Sequence, residues 1–263
     1  MVGGKPRYQR VILKLSGEGL CPPGGSGLQR AALERVAGEI SAAAKLGVQI
    51  GVVCGGGNFF RGAQFADELG VERATADYMW MLATVLNAVA LQDTLERLGQ
   101  PTRVQSALAI QRVCEPFDRQ RCLRHLAKGR VVILAAGTGN PHVTTDSCGA
   151  MRAAELKADL LAKATKVDGV YDDDPARNAH AKRFETVTYD QVIDGRLRVM
   201  DVSATEICQQ YNIPVIVLRV MDVSATEICQ QYNIPVIVFN LFNPGTFRRI
   251  LLGEPLGTRM GPA

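Results

Sequence analysis

The most constraining feature of this 263-residue sequence is a run of three glycines, residues 55–57, directly after the apolar segment 49–53. Glycine loses more backbone entropy on folding than any other residue, so the run indicates either positive φ angles or a ligand packed against bare amides. Successive backbone N–H groups form a concave site for anions, and Arg61 adds a guanidinium suited to phosphate oxygens. The alternative is a tight loop that only joins a strand to a helix. The spacing matches neither the dinucleotide-binding fingerprint nor the P-loop.

Length and composition indicate a globular α/β protein, and we expect a single domain over residues 1–263. Hydrophobic residues make up 47% of the chain, and no apolar run reaches the about 18 residues of a membrane span. Residues 1–10 lack the apolar core of a secretory signal, so we expect a cytoplasmic protein without a membrane partner. A net charge of +4 is too small to indicate nucleic-acid binding. Seven cysteines without a Cys-x-x-Cys pair predict reduced thiols rather than disulfides or a zinc site.

The N-terminal third reads as strand, helix, strand. Residues 10–15 form an aliphatic run that ends in a glycine turn, and residues 28–46 carry apolar side chains at helical spacing before the strand at 49–53. Ligands of parallel α/β sheets bind beyond the carboxyl ends of the strands, where both glycine turns would lie. Lys14 stands inside the first strand, and its ammonium must either reach a partner such as phosphate or extend to solvent along the sheet.

A long helix is predicted over residues 75–98, and its first half is apolar nearly all round. Such a helix is either buried deep in its own core or covered by another subunit. Asp77 lies within this apolar stretch, so its carboxylate needs a hydrogen-bonding partner. We further predict strands at 102–107, 131–135 and 158–164 and a helix at 121–128.

The loop 137–146 consists of small and hydroxyl residues, and a helix is predicted to begin at or near Asp146. Hydroxyls and free amides at a helix N-terminus bind phosphate, whereas Asp146 repels it unless a lysine or Mg²⁺ stands between them. The alternative for Asp146 is a plain N-cap.

Farther on, residues 197–217 recur without change as residues 218–238. Each copy reads as a short helix followed by a strand.

Five motifs in this order resemble the bacterial UMP kinases of the amino acid kinase family: residues 14–18, 55–62, 77–84, 137–146 and 163–170. The likeness runs from about residue 10 to the C-terminus. It implies a three-layer α/β/α sandwich on a mostly parallel sheet and phosphoryl transfer from ATP to UMP, giving UDP, in pyrimidine nucleotide biosynthesis. It also implies a homohexamer that GTP activates and UTP inhibits, with Mg²⁺ carried by the ATP phosphates and no metal site on the protein.

The resemblance also assigns site residues. Lys14 and Arg61 would stabilise charge on the transferred phosphoryl group, and Asp146 would orient Lys14 or a hydrated Mg²⁺. Asp77 would accept from the ribose hydroxyls of UMP. The ATP site would comprise Lys14, Leu15, Ser16, Gly17, Gly57, Arg61, Thr165, Tyr171 and Asp174. The UMP site would comprise Gly56, Asp77, Thr138, Gly139, Asn140, Pro141, His142, Val143, Thr144 and Thr145.

The chain departs from the family pattern in three places. Trp80 replaces a glycine close to Asp77, Cys148 and Gly149 replace two small helix formers, and the duplicated segment has no counterpart. Because one fold supports several chemistries, two other functions stay open. A related kinase could phosphorylate an amino-acid carboxylate or carbamate, and a non-catalytic sensor could bind pyrimidine nucleotides without turnover.

Overall fold

The computed structural model describes residues 5–22, 24–59, 70–165, 169–172, 178, 180–187, 234–241 and 243–260. These residues fall into two compact units. The N-terminal unit is Lys14–Thr145, and the C-terminal unit combines Met1–Leu13 with Asp146–Ala263. Arg61, Asp174 and most of the duplicated segment lie outside the described residues. Each unit is built around parallel strands, and the expectation of a single domain over the whole chain stays a prediction.

The N-terminal unit contains four neighbouring strands in the order β4–β3–β5–β2. They are β2 (Gln49–Cys54), β3 (Thr102–Ser106), β4 (Glu115–Pro116) and β5 (Val131–Ala135). All their pairings are parallel, with Val53 opposite Leu134 and Ser106 opposite Ala135. Every residue of β5 is buried, as its continuous apolar run predicts. The carboxyl ends of these strands therefore meet at one edge, where the glycine turn after β2 and the loop after β5 begin.

Three helices flank these strands: α1 (Arg30–Ala44), α2 (Arg73–Arg97) and α3 (Arg119–Ala127). A short 3₁₀ helix, Gly17–Leu20, follows the first strand. Helix α1 buries the apolar stripe that predicts it, including Leu33, Val36 and Ile40. Helix α3 begins at an Asp118 cap whose carboxylate accepts from the Arg121 N–H at 2.7 Å. The predicted helices are confirmed, with ends shifted by a few residues.

Helix α2 corrects one expectation from the sequence. It is long and apolar enough to span a membrane, although 44% of its most apolar 18-residue stretch is buried in the protein. The helix packs on α1, β3 and β5, as a core helix does. Its burial is nevertheless one-sided, because one face leaves four large apolar side chains exposed: Tyr78, Leu82, Leu86 and Val89. Deep burial in its own core is therefore wrong for this face of the helix.

The C-terminal unit carries the neighbouring strands β1–β6–β10–β11–β9. Their bounds are β1 (Arg10–Leu15), β6 (Leu160–Thr165), β9 (Thr186–Val187), β10 (Val236–Asn240) and β11 (Thr258–Met260). Strand β10 is parallel to β6 and antiparallel to β11. Two short strands, β7 (Val170–Tyr171) and β8 (Arg183–Phe184), form a separate antiparallel pair. The helices among the described residues of this part of the chain are α4 (Thr145–Glu155) and α5 (Thr246–Leu251).

Only the end of the duplicated segment, residues 234–238, belongs to the described residues. Ile234, Val236 and Val238 are buried there, and Val236 lies opposite Leu161 of β6. The second copy therefore supplies the start of the core strand, which spans Val236–Asn240 rather than the expected residues 234–238. Residues 197–233, which include the whole first copy, lie outside the described residues.

The two copies provide a matched pair of substitutions, because Val236 of the second copy corresponds to Val215 of the first. Val236→Asp places an unpaired carboxylate between β6 and β11 and should abolish cooperative folding. Val215→Asp should lower the melting temperature much less. Thermal unfolding followed by circular dichroism measures both variants. Equal losses would contradict the assignment of the core strand to the second copy alone.

Candidate active site

The turns after β1 and β2 interlock within the N-terminal unit. A Cβ added at Gly17 would lie 2.5 Å from Asn58 Oδ1 and 2.7 Å from the Gly55 carbonyl oxygen. The Gly55 N–H donates to the carbonyl of Leu15 at 2.8 Å. Residues 14–17, assigned to ATP by resemblance, are thus brought together with the triple-glycine turn.

None of the three glycines has a positive φ, and Gly56 and Gly57 differ in what surrounds them. A Cβ at Gly56 would lie 2.0 Å from Trp80 Cδ1 and 2.9 Å from the Trp80 carbonyl oxygen, so close packing requires glycine there. A Cβ at Gly57 would meet only Glu18 Cγ, at the ordinary contact distance of 3.7 Å. Neither a positive φ nor the space around its Cβ position requires glycine at residue 57. Its amide nitrogen lies 2.8 Å from the Cβ position of Gly17, so the amide faces the turn after β1.

Lys14 is 3% exposed at the end of β1, so its ammonium does not extend to bulk solvent and that alternative is wrong. Its positive charge acts on the thiol of Cys54, the last residue of β2. Burial raises the pKa of Cys54 to about 12, and the Lys14 charge offsets part of this rise. Cys54 is therefore a neutral thiol at physiological pH.

A pair of buried asparagines fixes the glycine turn to α2. The Asn58 amide donates to Asn87 Oδ1 at 2.9 Å, and the Asn87 amide donates to Asn58 Oδ1 at 2.8 Å. Asn87 also donates to the Gly55 carbonyl at 2.7 Å, and Asn58 to the Gly27 carbonyl at 2.7 Å. Neither asparagine was predicted from the sequence as a contact of this turn. The available signal was an amide side chain, Asn87, within the apolar stretch of the helix.

The loop after β5 is also attached to α2. Asp77 Oδ2 accepts from the His142 N–H at 2.8 Å, and Thr84 Oγ1 accepts from the Ala136 N–H at 2.7 Å. The partner that Asp77 was expected to need is therefore the loop itself. The structure brings Asp77 together with the other residues that the resemblance assigns to UMP in this loop, of which Asn140, His142 and Val143 are exposed.

Within the C-terminal unit, Asp146 forms a buried ion pair with a lysine that the sequence analysis did not single out. Lys163 Nζ lies 3.2 Å from Asp146 Oδ2, and the two side chains are only 2% and 4% exposed. Helix α4 begins at Thr145, so Asp146 lies inside its first turn and the plain N-cap is wrong. The signal for Lys163 was the same as for Lys14, a lysine within an apolar strand.

The remaining predicted residues occupy separate places. Thr165 ends β6 opposite Asn240 of β10, and Tyr171 lies in the short strand pair opposite Arg183. Among the residues that the structure describes, no three His, Cys, Asp or Glu side chains cluster as metal ligands.

Cys148, one of the departures from the family pattern, is fully buried, and burial raises its pKa to about 11. It is therefore a packing residue of α4.

Residues 9–219 match the model of the amino acid kinase family. The chain belongs to this family. It is 50% identical over 254 residues to a uridylate kinase of Zymomonas mobilis, covering 97% of this chain and 96% of the relative. It is 49% identical over 254 residues to a uridylate kinase of Methylococcus capsulatus, covering 97% of both.

Solved structures agree with these sequence comparisons. The UMP kinase of Bacillus anthracis superposes with a TM-score of 0.85 at 35% identity, covering 97% of this chain and 96% of that one. The UMP kinase of Ureaplasma parvum gives a TM-score of 0.83 at 32% identity, covering 97% and 99%. The predicted fold class, an amino acid kinase-like α/β fold on a mostly parallel sheet, is confirmed.

The two adjacent glycines allow ligand contact to be separated from packing. Gly56→Ala should destabilise the protein by about 1–3 kcal/mol, because its methyl group overlaps Trp80. Gly57→Ala should leave the melting temperature nearly unchanged but weaken ATP binding, because its methyl group enters uncrowded space beside the turn that the resemblance assigns to ATP. Thermal unfolding and ATP titration measure both variants. Unchanged ATP affinity in Gly57→Ala would contradict the assignment of this glycine to the ATP site.

The free energy of unfolding should fall more when one member of the Asp146–Lys163 pair is replaced than when both are replaced. Asp146→Leu and Lys163→Met should each lower the free energy of unfolding by about 3–5 kcal/mol, since each leaves a buried charge without its counterion. The double variant should recover much of this loss. Denaturant unfolding measures the cycle, and strictly additive losses would show that the pair is not coupled.

Proposed function

We propose that the chain is a UMP kinase, which transfers the γ-phosphoryl group of ATP to UMP and produces UDP for pyrimidine nucleotide biosynthesis. The observation that carries this proposal is that residues suited to phosphate lie together in a chain closely similar to uridylate kinases. Buried Lys14 and the triple-glycine turn lie at one sheet edge, in a chain that is 50% identical to a uridylate kinase over 97% of its length. Both features suit a polyanionic ligand.

Phosphoryl transfer needs little covalent chemistry from the protein, because the phosphate of UMP is already an anionic nucleophile. Rate enhancement then comes from positioning and from charge placed where the transition state develops it. Lys14 supplies such a charge from a buried position, and we assign Arg61 the same role. The Gly57 amide lies in the turn that packs on residues 14–17, which together form the donor side of the site.

The acceptor side is the loop after β5 together with Asp77 and Gly56. Asp77 directs Oδ2 to the His142 N–H, and Arg73 Nε lies 3.3 Å from its Oδ1. Each carboxylate oxygen has two lone pairs, so Asp77 can anchor the loop and still accept from the ribose hydroxyls of UMP. The hydroxyl residues and free amides of residues 138–145 suit the phosphate of UMP.

In the C-terminal unit we assign Asp146 to orienting Lys14 or a hydrated Mg²⁺. The buried pair with Lys163 fixes the position of its carboxylate. Mg²⁺ carried by the ATP phosphates would neutralise part of their charge. Thr165, Tyr171 and Asp174 are assigned to the base and ribose of ATP.

We further propose that the protein is a cytoplasmic homo-oligomer, expected to be a hexamer, with GTP and UTP as effectors. The exposed apolar face of α2, formed by Tyr78, Leu82, Leu86 and Val89, suits a second copy of the chain. Sedimentation should give an oligomeric mass for the wild type and a smaller mass for Leu86→Glu. A monomeric wild type would refute this assembly.

The activity is tested by coupled measurement of ADP release with and without UMP. Release should require UMP, and Lys14→Met should lower kcat by about a hundredfold or more, the scale of one preorganised electrostatic group. Lys45→Ala, at the exposed C-cap of α1, is the matched control and should keep wild-type kinetics. ADP release that depends on a carboxylate or carbamate instead of UMP would favour the related kinase. UMP binding without turnover would favour the sensor.

A further inference from the structure

The loop after β5 begins with an alanine in an unusual conformation. Ala136 has φ 61°, in the left-handed region, and is fully buried. This region is disfavoured for any residue with a Cβ, because the Cβ approaches the following carbonyl oxygen. A residue persists there only when its surroundings hold it. The interaction that holds Ala136 therefore determines where the chain leaves β5 and enters the loop.

Thr84 of α2 provides that interaction, and both hydrogen-bonding roles of its hydroxyl are in use. Oγ1 accepts from the Ala136 N–H at 2.7 Å and donates to the Met81 carbonyl at 2.7 Å. The side chain is 2% exposed, so water does not replace either bond. The intrahelical bond orients the hydroxyl so that its lone pair faces the loop.

The far part of the loop is held by the same helix face. His142 also has a positive φ, 66°, and its N–H donates to Asp77, which lies seven residues, or two helical turns, before Thr84. Two residues in left-handed conformations thus delimit residues 136–142, and each donates its N–H to a side chain of α2. Thr84 is more deeply buried than Asp77, at 2% exposed against 12% for the Asp77 side chain.

We propose that Thr84 is a positioning residue for the phosphoryl acceptor, which acts by fixing Ala136 and thereby the loop that receives the nucleotide. The inference rests on the proposed function, because it takes this loop as the UMP site. Thr84 does not touch the reacting atoms in this account. Its effect should appear in acceptor binding and in the alignment of the acceptor phosphate, and it should leave ATP binding unchanged.

The experiment compares Thr84→Val, Thr84→Ser and the control Thr94→Val in the full-length chain. Thr94 lies on the same helix, is also 2% exposed and donates to the Ala90 carbonyl at 2.8 Å, but its hydroxyl accepts from the Arg97 guanidinium of the same helix at 3.2 Å. Thr84→Val removes the acceptor from the Ala136 N–H and should raise the KM for UMP about tenfold, the factor expected for one buried hydrogen bond. The KM for ATP should stay within about twofold of the wild-type value, because the turns proposed to bind ATP keep their contacts.

Thr84→Ser keeps the hydroxyl and should restore the wild-type KM for UMP, while Thr94→Val should leave it unchanged. Ala136→Gly, added to Thr84→Val, should recover part of the loss, because glycine adopts a positive φ without strain. If Thr84→Val does not fold, recovery of folding in this double variant would support the same account, and no recovery would refute it.

Equal increases in both KM values, or a similar effect of Thr94→Val, would indicate a purely structural role and overturn the inference. The wild type separates this failure from a failure of the proposed function. If wild-type ADP release requires UMP and Thr84→Val matches it, only the positioning role falls. If wild-type release does not require UMP, the proposed function and the positioning role fall together.

Discussion

One face of α2 fixes both glycine-rich turns of the N-terminal unit. Asp77, Trp80, Thr84 and Asn87 recur at helical spacing, so their side chains lie on one side of the helix. Trp80 and Asn87 contact the turn after β2, whereas Asp77 and Thr84 accept from amides of the loop after β5. Because a single helix supports both turns, the positions proposed for the donor and the acceptor share one rigid element.

The buried side of α2 is largely apolar but includes paired polar groups. Thr84 and Asn87 are buried with their hydrogen-bonding groups satisfied, while Leu82 and Leu86 are exposed on the opposite side. Buried polar groups are tolerated when fully paired, and a paired network specifies one arrangement of the backbone around it. Because apolar side chains lie on both the buried and the exposed side, the sequence of this helix reads as apolar nearly all round.

Local pattern was sufficient for the longer strands β1, β2, β3, β5 and β6 and for the loops that follow them, but not for the strands of two or three residues. A lysine within an apolar strand drew attention to Lys14, whose burial the sequence left open. The contacts that give the site its shape were not predictable, because they join residues far apart in the chain. The roles of Asn87 and Lys163 depend on Gly55 and Asp146, which lie beside them only in the folded chain. Likewise, the different surroundings of Gly56 and Gly57 depend on where Trp80 packs.

The central claim is that α2 side chains hold the loop after β5 before any nucleotide binds. Native-state amide hydrogen exchange of the free protein tests this most directly. The Ala136 and His142 amides should be protected like those in the middle of α2, because each donates to a side chain of that helix. Exchange of these two amides at the rate of an open loop, while α2 remains protected, would contradict the claim.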